Sequence, residues 1–348
     1  MLNIPEVLPV RSDYAIKAQQ HWDNLIKPKG SLGRLEEVVC RICAITKNDR
    51  PNITKKRLIV FAGDHGVVEE GVSAYPQEVT QQMVRGFLSG QAAICVLARI
   101  ANIELKIADA GLARPFSHPD LLAIHAGSGT NNFLNLPAMT SQQMVDAIQA
   151  GIKSAGVARF DGIDLLAGGD MGIGNTAAAS AIYSSLFSLN PEFVTGKGAG
   201  LDENARLRKV EVIRKALEKW QVDPQKPLEV LRHYGGFEIA CLVGLYLGAA
   251  INSIPCVVDG FICTAAAAIA IEIAPTVKEY LFFSHLSAEH GFDPVVQKLQ
   301  IRPLLDLGMR LGEGTGAALA MQLIESAVHL YNEMPTFEQA EVSRKKVE

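Results

Sequence analysis

The sequence predicts an α/β protein built on a doubly wound, mostly parallel sheet, Rossmann-like and three-layered, with a smaller helical subdomain formed from the chain ends. Three observations predict it. A short apolar run ending in glycine or a small polar residue recurs six times, at "RLIVFAGDHG", "ELKIADAG", "LLAIHAGSGTNN", "DLLAGGDMGIGNT", "IPCVVDGF" and "YLFFSHLSAEHG". Uninterrupted runs of this length are how strands covered on both faces read, as in parallel sheets flanked by helices. Most of the runs are separated by stretches with helical periodicity, and strand, loop and helix in repeated order call for right-handed crossovers. Finally, the Gly, Asp, His and Ser clusters fall just beyond the apolar runs, where open α/β sheets bind their ligands.

Taken from the N-terminus, "SDYAIKAQQHWDNLIKPKGSLGRLEEVVCRICAI" reads as helices broken at "KPKGS". Pairing of this segment with the helical "AMQLIESAVHLYNEM" gives a division into a helical subdomain, residues 1–50 with part of 320–348, and an α/β catalytic domain over 51–320. The stretch "YPQEVTQQMV" opens a helix with Pro76 at a first helical position. In "TSQQMVDAIQAGIKSAG", Thr140 and Gln143 have capping-box spacing and Met144, Ile148 and Ile152 form one apolar stripe. The closing "PTFEQAEVSRKKVE" reads as a frayed tail.

Composition narrows the function. With Lys+Arg 33 against Asp+Glu 37, the net charge is −4, and no basic run before the terminal "SRKKVE" can track a phosphate backbone, which argues against nucleic acid. The longest apolar run, "IACLVGLYLGAAI", is too short for a membrane span of roughly 18 residues. The N-terminus, with Glu6 and two prolines, does not read as a signal peptide. All six cysteines sit as small hydrophobes would, Cys40 and Cys43 included, since no second pair or nearby His makes their C-x-x-C a zinc site. A cytoplasmic enzyme is the expectation.

Four motifs can carry chemistry. "GGDMGIGNTAAAS" follows an apolar run and enters an alanine-rich helix; its glycines and the Asn175 and Thr176 side chains suit a phosphate, and equally a plain tight turn. It lacks the third glycine of a dinucleotide fingerprint and the Walker lysine. "GKGAGLD" adds a second glycine loop containing Gly200, and Lys209 a positive charge, although by spacing Lys209 reads as one of several basic residues on a solvated helix face. In "FAGDHG", Asp64 and His65 read as structural hydrogen-bonding groups, and the hydroxyls of "SHLSAEHG" suit ribose, phosphate or a helix cap. In "RLGEGTGAALA" the single carboxylate, Glu313, stands among Gly312, Gly314 and Gly316. It is either a first-turn glutamate favoured by the helix dipole or an acid kept clear for a flat ligand, and the glycines, which cost helix stability, favour the second.

Together, "KPKGSLGRLE", "AGDHGVVEEGVSAYPQEVT", "GDMGIGNT", "GGFEIA", "VDGF", "SHLSAEHG" and "LGMRLGEGTGAALA" closely resemble the nicotinate-nucleotide:dimethylbenzimidazole phosphoribosyltransferases, in family order over nearly the whole chain. The resemblance implies the conversion of nicotinate mononucleotide and dimethylbenzimidazole to α-ribazole phosphate and nicotinate, in assembly of the cobalamin lower-ligand nucleotide. It implies that Glu313 is the catalytic base, and that Gly172, Asn175 and Thr176 hold the ribose phosphate, with Gly200, Lys209 and Ser287 as weaker matches. Tyr75 and Met83 match the wall of the acceptor pocket. Asp170 stands where the family usually has Glu, so its secondary acidic role is a methylene shorter. The scheme requires no metal or other cofactor, and the resemblance implies a homodimer. Two rival readings are the same chemistry with another acceptor, such as benzimidazole, adenine or a phenol, and a nucleotide-binding sensor without turnover.

Overall fold

In the computed structural model, which describes residues 4–198 and 200–343, six strands form one parallel sheet in the order β3-β2-β1-β4-β5-β6. They are β1 (Lys56–Gly63), β2 (Ile103–Gly111), β3 (Leu121–Ala123), β4 (Leu165–Met171), β5 (Cys256–Val258) and β6 (Leu281–Phe283). Each apolar run of the sequence supplies one of them, and β1 is buried along its whole length. The order reverses between β1 and β4, the switch point at which such sheets leave a crevice at their carboxyl ends.

The helices are α1 (Ser12–Trp22), α2 (Arg34–Thr46), α3 (Glu78–Leu88), α4 (Ala93–Ile100), α5 (Ser141–Phe160), α6 (Asn175–Phe187) and α7 (Pro191–Val194). They continue with α8 (Glu203–Trp220), α9 (Pro227–Tyr234), α10 (Phe237–Ile251), α11 (Phe261–Ile273), α12 (Phe292–Leu299) and α13 (Thr315–Glu333). Strand alternation assigns the faces: Leu58 meets the start of α13, whereas Gly63 and Gly168 meet α10. Helix α10 carries "IACLVGLYLGAAI", buried through Ala250, because the sheet covers one side and α5 the other. The α5–α10 contact needs small residues: a Cβ on Gly151 would lie 2.0 Å from the Cys241 carbonyl oxygen, and one on Gly244 2.0 Å from that of Ile148.

The capping box of α5 forms, with Thr140 accepting from the Gln143 amide and the Gln143 side chain accepting from the Thr140 amide. Two local expectations are corrected. Pro76 lies outside α3, which starts at Glu78, because the turn at Ser73–Gln77 uses the proline ahead of the cap. The tail is not frayed up to Val342: the Ile26 amide donates to Pro335, the Phe337 amide to Asn24, and Leu25 bridges Thr336. The terminal "RKKVE" lies outside the described residues. Helices α1 and α2 pack together, and α2 packs on α13, which also lies on β4 and β5. The stretch Glu78–Ile100 is long and apolar enough to cross a membrane by composition, yet it is broken between α3 and α4. The cysteines are free and buried apart from the half-buried Cys95.

Candidate active site

The carboxyl ends of β4, β5 and β6, the start of α13 and one side of α3 enclose a cavity of about 690 Å³, within the size range of small-molecule sites. Of the residues singled out in the sequence, Tyr75, Met83, Asp170, Gly172, Asn175, Thr176, Ser287 and Glu313 line it. Two do not. Gly200 faces an adjacent cavity lined by Lys197 and Arg206, and it is Gly198 that reaches the first. Lys209 is not on a solvated face at all: it is wholly buried, its Nζ donating to Thr176 Oγ1 at 2.7 Å and to the Gly196 carbonyl at 3.4 Å. The basic residues around it on α8 are alike in sequence, and only the packing of α8 against α6 decides which one turns inward.

Glu313 is not part of the helix. Thr315 begins α13 and Gly314 is its cap residue, so Glu313 precedes the cap. Gly312, Glu313 and Gly314 are consecutively left-handed, with φ of 81°, 62° and 82°. A non-glycine residue there carries strain of about 1 kcal/mol or more. What holds it is Asp259, at the end of β5: Oδ2 accepts from the Gly314 amide at 3.1 Å and Oδ1 from the Ala317 amide at 2.8 Å. Asp259 thus does for α13 what a first-turn acid does, which frees Glu313 from that duty. Gly169 on β4 supports the turn from below; a Cβ on it would lie 2.8 Å from the Gly314 nitrogen.

The electrostatics follow from burial. Glu313 is 6% exposed and its Oε2 has no hydrogen-bond partner among the described residues. Burial, helped by the charge of Asp259, pushes its carboxyl up to about 7, the range suited to a base working at neutral pH. Asp170 is pushed up to about 8 by burial and then by Asp259. It is therefore mostly protonated at neutral pH, while its Oδ2 accepts from Asn175 Nδ2 at 2.9 Å. Burial lowers the Lys209 ammonium to about 8, opposed by Glu289, so it remains largely charged at pH 7 beneath the Thr176 turn.

That turn is built for close approach. A Cβ on Gly172 would lie 2.3 Å from the Gly63 carbonyl oxygen, and Gly174, the cap residue of α6, has φ 98°. The Asn175 and Ala177 amides are engaged by the Gly172 and Gly174 carbonyls, so the Thr176 amide and hydroxyl, with the lysine behind them, form the concavity suited to an anion. Ser287 Oγ accepts from the Glu289 amide at 3.2 Å, and Glu289 Oε1 accepts from Gly198 at 3.1 Å, tying the loop after β6 to the second glycine loop. On the opposite wall, Tyr75 is 48% exposed and Met83 half-buried. Asp64 and His65 lie below: Asp64 accepts from the Ala113 amide, and His65 Nε2 is 2.7 Å from Glu238 Oε1.

Asp170, Asp259 and Cys263 bring their ligand atoms within 4.8 Å of one another. Both Asp259 oxygens are already engaged by amides, however, and Asp170 by Asn175 and the Cys263 thiol, so this set serves the structure of the turn. Sequence reasoning missed Asp259 and His285. Asp259 stands in the quoted "VDGF", and an acid directly after a buried strand was the available signal; His285 had only its neighbouring hydroxyls.

A glycine-lined anion site and an isolated buried carboxylate share one crevice, an arrangement suited to group transfer from a phosphorylated donor. The sequence matches the phosphoribosyltransferase family over residues 7–342, and the chain belongs to that family. It is 50% identical over 343 residues to the nicotinate-nucleotide–dimethylbenzimidazole phosphoribosyltransferase of Chlorobaculum tepidum, covering 98% of this chain and 97% of that protein. The enzyme of the same name from Geobacter sp. is 47% identical over 341 residues, 98% of each chain. The crystal structure of CobT from Thermus thermophilus superposes with a TM-score of 0.91 at 43% identity, covering 96% of this chain and all of that one.

Proposed function

We propose that this protein transfers the 5-phosphoribosyl group of nicotinate mononucleotide to dimethylbenzimidazole, giving α-ribazole 5′-phosphate and nicotinate in assembly of the cobalamin nucleotide loop. The observation that carries the proposal is Glu313: a buried carboxyl with one unpaired oxygen, lining the cavity that the Asn175–Thr176 turn also lines.

Nicotinate bound to ribose through its ring nitrogen is already cationic, so the C1′–N bond breaks onto a neutral pyridine nitrogen without an acid. The anomeric carbon gains oxocarbenium character as one azole nitrogen attacks it from the face opposite nicotinate, which inverts a β-nucleotide to an α-product. The other azole nitrogen sheds its proton to Glu313, a transfer of the kind that contributes about 10²–10⁴ in rate. The Thr176 amide and hydroxyl hold the unreacting phosphate with the Lys209 charge behind them, and Asp170, protonated, is a hydrogen-bond donor at the floor. Confining both reactants in one cleft supplies much of the remainder. We further infer that the chain works as a cytoplasmic homodimer, that residues 1–50 with part of 320–348 form its smaller helical unit, and that residues 51–320 are the catalytic unit.

The test is release of free nicotinate that depends on added azole, with competing benzimidazole, adenine and phenol acceptors and products identified by mass. Dimethylbenzimidazole is expected to dominate; preference for another acceptor replaces the acceptor assignment, and tight nucleotide binding without release supports a sensor instead. A pH dependence also follows. Glu313 must be unprotonated, so kcat/KM for the donor rises with pH through about 7; Lys209 must be charged, so it falls as pH rises through about 8. A narrow bell between these limbs is expected from initial rates over pH 5–10.

A further inference from the structure

We infer that His285 contacts the donor nucleotide directly, its Nε2 accepting a hydrogen bond from a ribose hydroxyl. The inference rests on the donor proposed above and on three observations.

The first is where the ring is held. His285 stands two residues past the end of β6, is 1% exposed and lines the same cavity as Glu313 and Ser287. A Cβ on Gly316 would lie 2.0 Å from its Nδ1, and one on Gly260 3.2 Å from its Nε2. Two glycine backbones therefore grip the ring, and the missing side chain of Gly260 is what leaves Nε2 open.

The second is its tautomer. Ser284 Oγ donates its one proton to the Asp259 carbonyl oxygen at 3.1 Å and lies 2.9 Å from His285 Nδ1. Placing the Ser284 proton on the Asp259 carbonyl leaves Oγ to accept, which assigns the hydrogen of the pair to Nδ1. Asp259 Oδ1, 3.9 Å from Nδ1, favours a proton there too. The same bond selects the ring orientation, since the flipped ring offers carbon to Ser284. With the hydrogen placed on Nδ1, the ring presents Nε2 to the cavity as an acceptor, and Nε2 has no partner among the described residues.

The third is what can satisfy it. A buried acceptor left unpaired is costly, and the reactants offer few donors. The phosphate and carboxylate of nicotinate mononucleotide accept, its pyridinium nitrogen bears no hydrogen, and the azole N–H belongs to Glu313. The ribose 2′ and 3′ hydroxyls remain. A hydrogen bond to the 2′ hydroxyl also strengthens as positive charge develops on the neighbouring anomeric carbon, as in glycoside cleavage.

The test compares nicotinate mononucleotide with its 2′-deoxy and 3′-deoxy analogues, in the native enzyme and in His285→Gln and His285→Ala, by donor binding and by kcat/KM. One analogue is expected to lose at least about 30-fold against the parent in the native enzyme, because a site built around a hydroxyl rejects the compound lacking it. That penalty should shrink to within about 3-fold in His285→Ala and be partly retained in His285→Gln, whose amide oxygen can accept. As a check independent of variants, the ¹⁵N signal of His285 Nε2 in the native enzyme should move on adding the parent donor and not on adding the penalised analogue. Equal handling of all three donors, or a penalty that survives in His285→Ala, overturns the role of His285 while leaving the proposed function in place. Failure of the native enzyme to bind or cleave the parent donor overturns both.

Discussion

Glu313→Gln is expected to keep the fold and both binding sites while lowering kcat by about 10²–10⁴. The amide fills the carboxyl volume, and the left-handed turn it sits on is fixed by Asp259, Gly169 and the flanking glycines, none of which the substitution touches. Stability should not suffer. The folded-state pKa of Glu313, about 7, lies above its unfolded value, so the residue's favourable contribution is full below the unfolded pKa and lost as pH rises through 7. At pH 8 the variant should therefore melt no lower than the native protein. Michaelis constants for donor and acceptor should stay within a few-fold, because the proton is taken only as the bond forms. Steady-state kinetics and thermal melts check both halves; native turnover in the variant removes Glu313 as the base.

Lys209→Met is expected to raise KM for the donor and lower kcat/KM by about 10², with KM for the azole unchanged. A charge-assisted hydrogen bond network behind the phosphate contributes on the order of 1.5–3 kcal/mol, and Met, of similar length, replaces a wholly buried ammonium whose desolvation opposes folding. The folded protein should accordingly be as stable as the native one. The alkaline limb near pH 8 should weaken with loss of the lysine, leaving the part set by Asp170, whose carboxyl also ionises near 8. Donor kinetics measured at pH 7 and 9 decide it: an unchanged donor KM shows that the ammonium does not serve the phosphate.

The contrast between these two residues shows what was legible. Glu313 could be singled out from its own neighbours, since three glycines around one acid are a local signal of open backbone. Nothing in that stretch says that the residue precedes the helix instead of starting it, because the capping acid arrives from the end of β5. Lys209 is the reverse case. The α8 sequence offers several equivalent cations, and the inward one is chosen by Thr176 and the Gly196 carbonyl, both from other segments. Gly200 and Gly198 differ only by loop register, which no periodicity reports.

The strands were legible for a physical reason as well. A strand covered on both faces needs mostly apolar side chains, and β1 from Leu58 on, β4 up to Gly169 and all of β6 show that as unbroken runs. The α/β order then left the reversal between β1 and β4 as the natural site. The tail was misread because its anchorage to Asn24 and Ile26 is a pair of backbone hydrogen bonds, invisible to composition. His285 was passed over because its significance lies in a proton position dictated by Ser284 and Asp259.

The central claim, that Glu313 removes the azole proton, is tested most directly by the acid limb of azole-dependent nicotinate release in the native enzyme and in Glu313→Gln. The claim predicts that the native rate falls below about pH 7 with a single ionisation and that the residual rate of the variant is flat across the same range. An acid limb that persists at the same pH in the variant would contradict it.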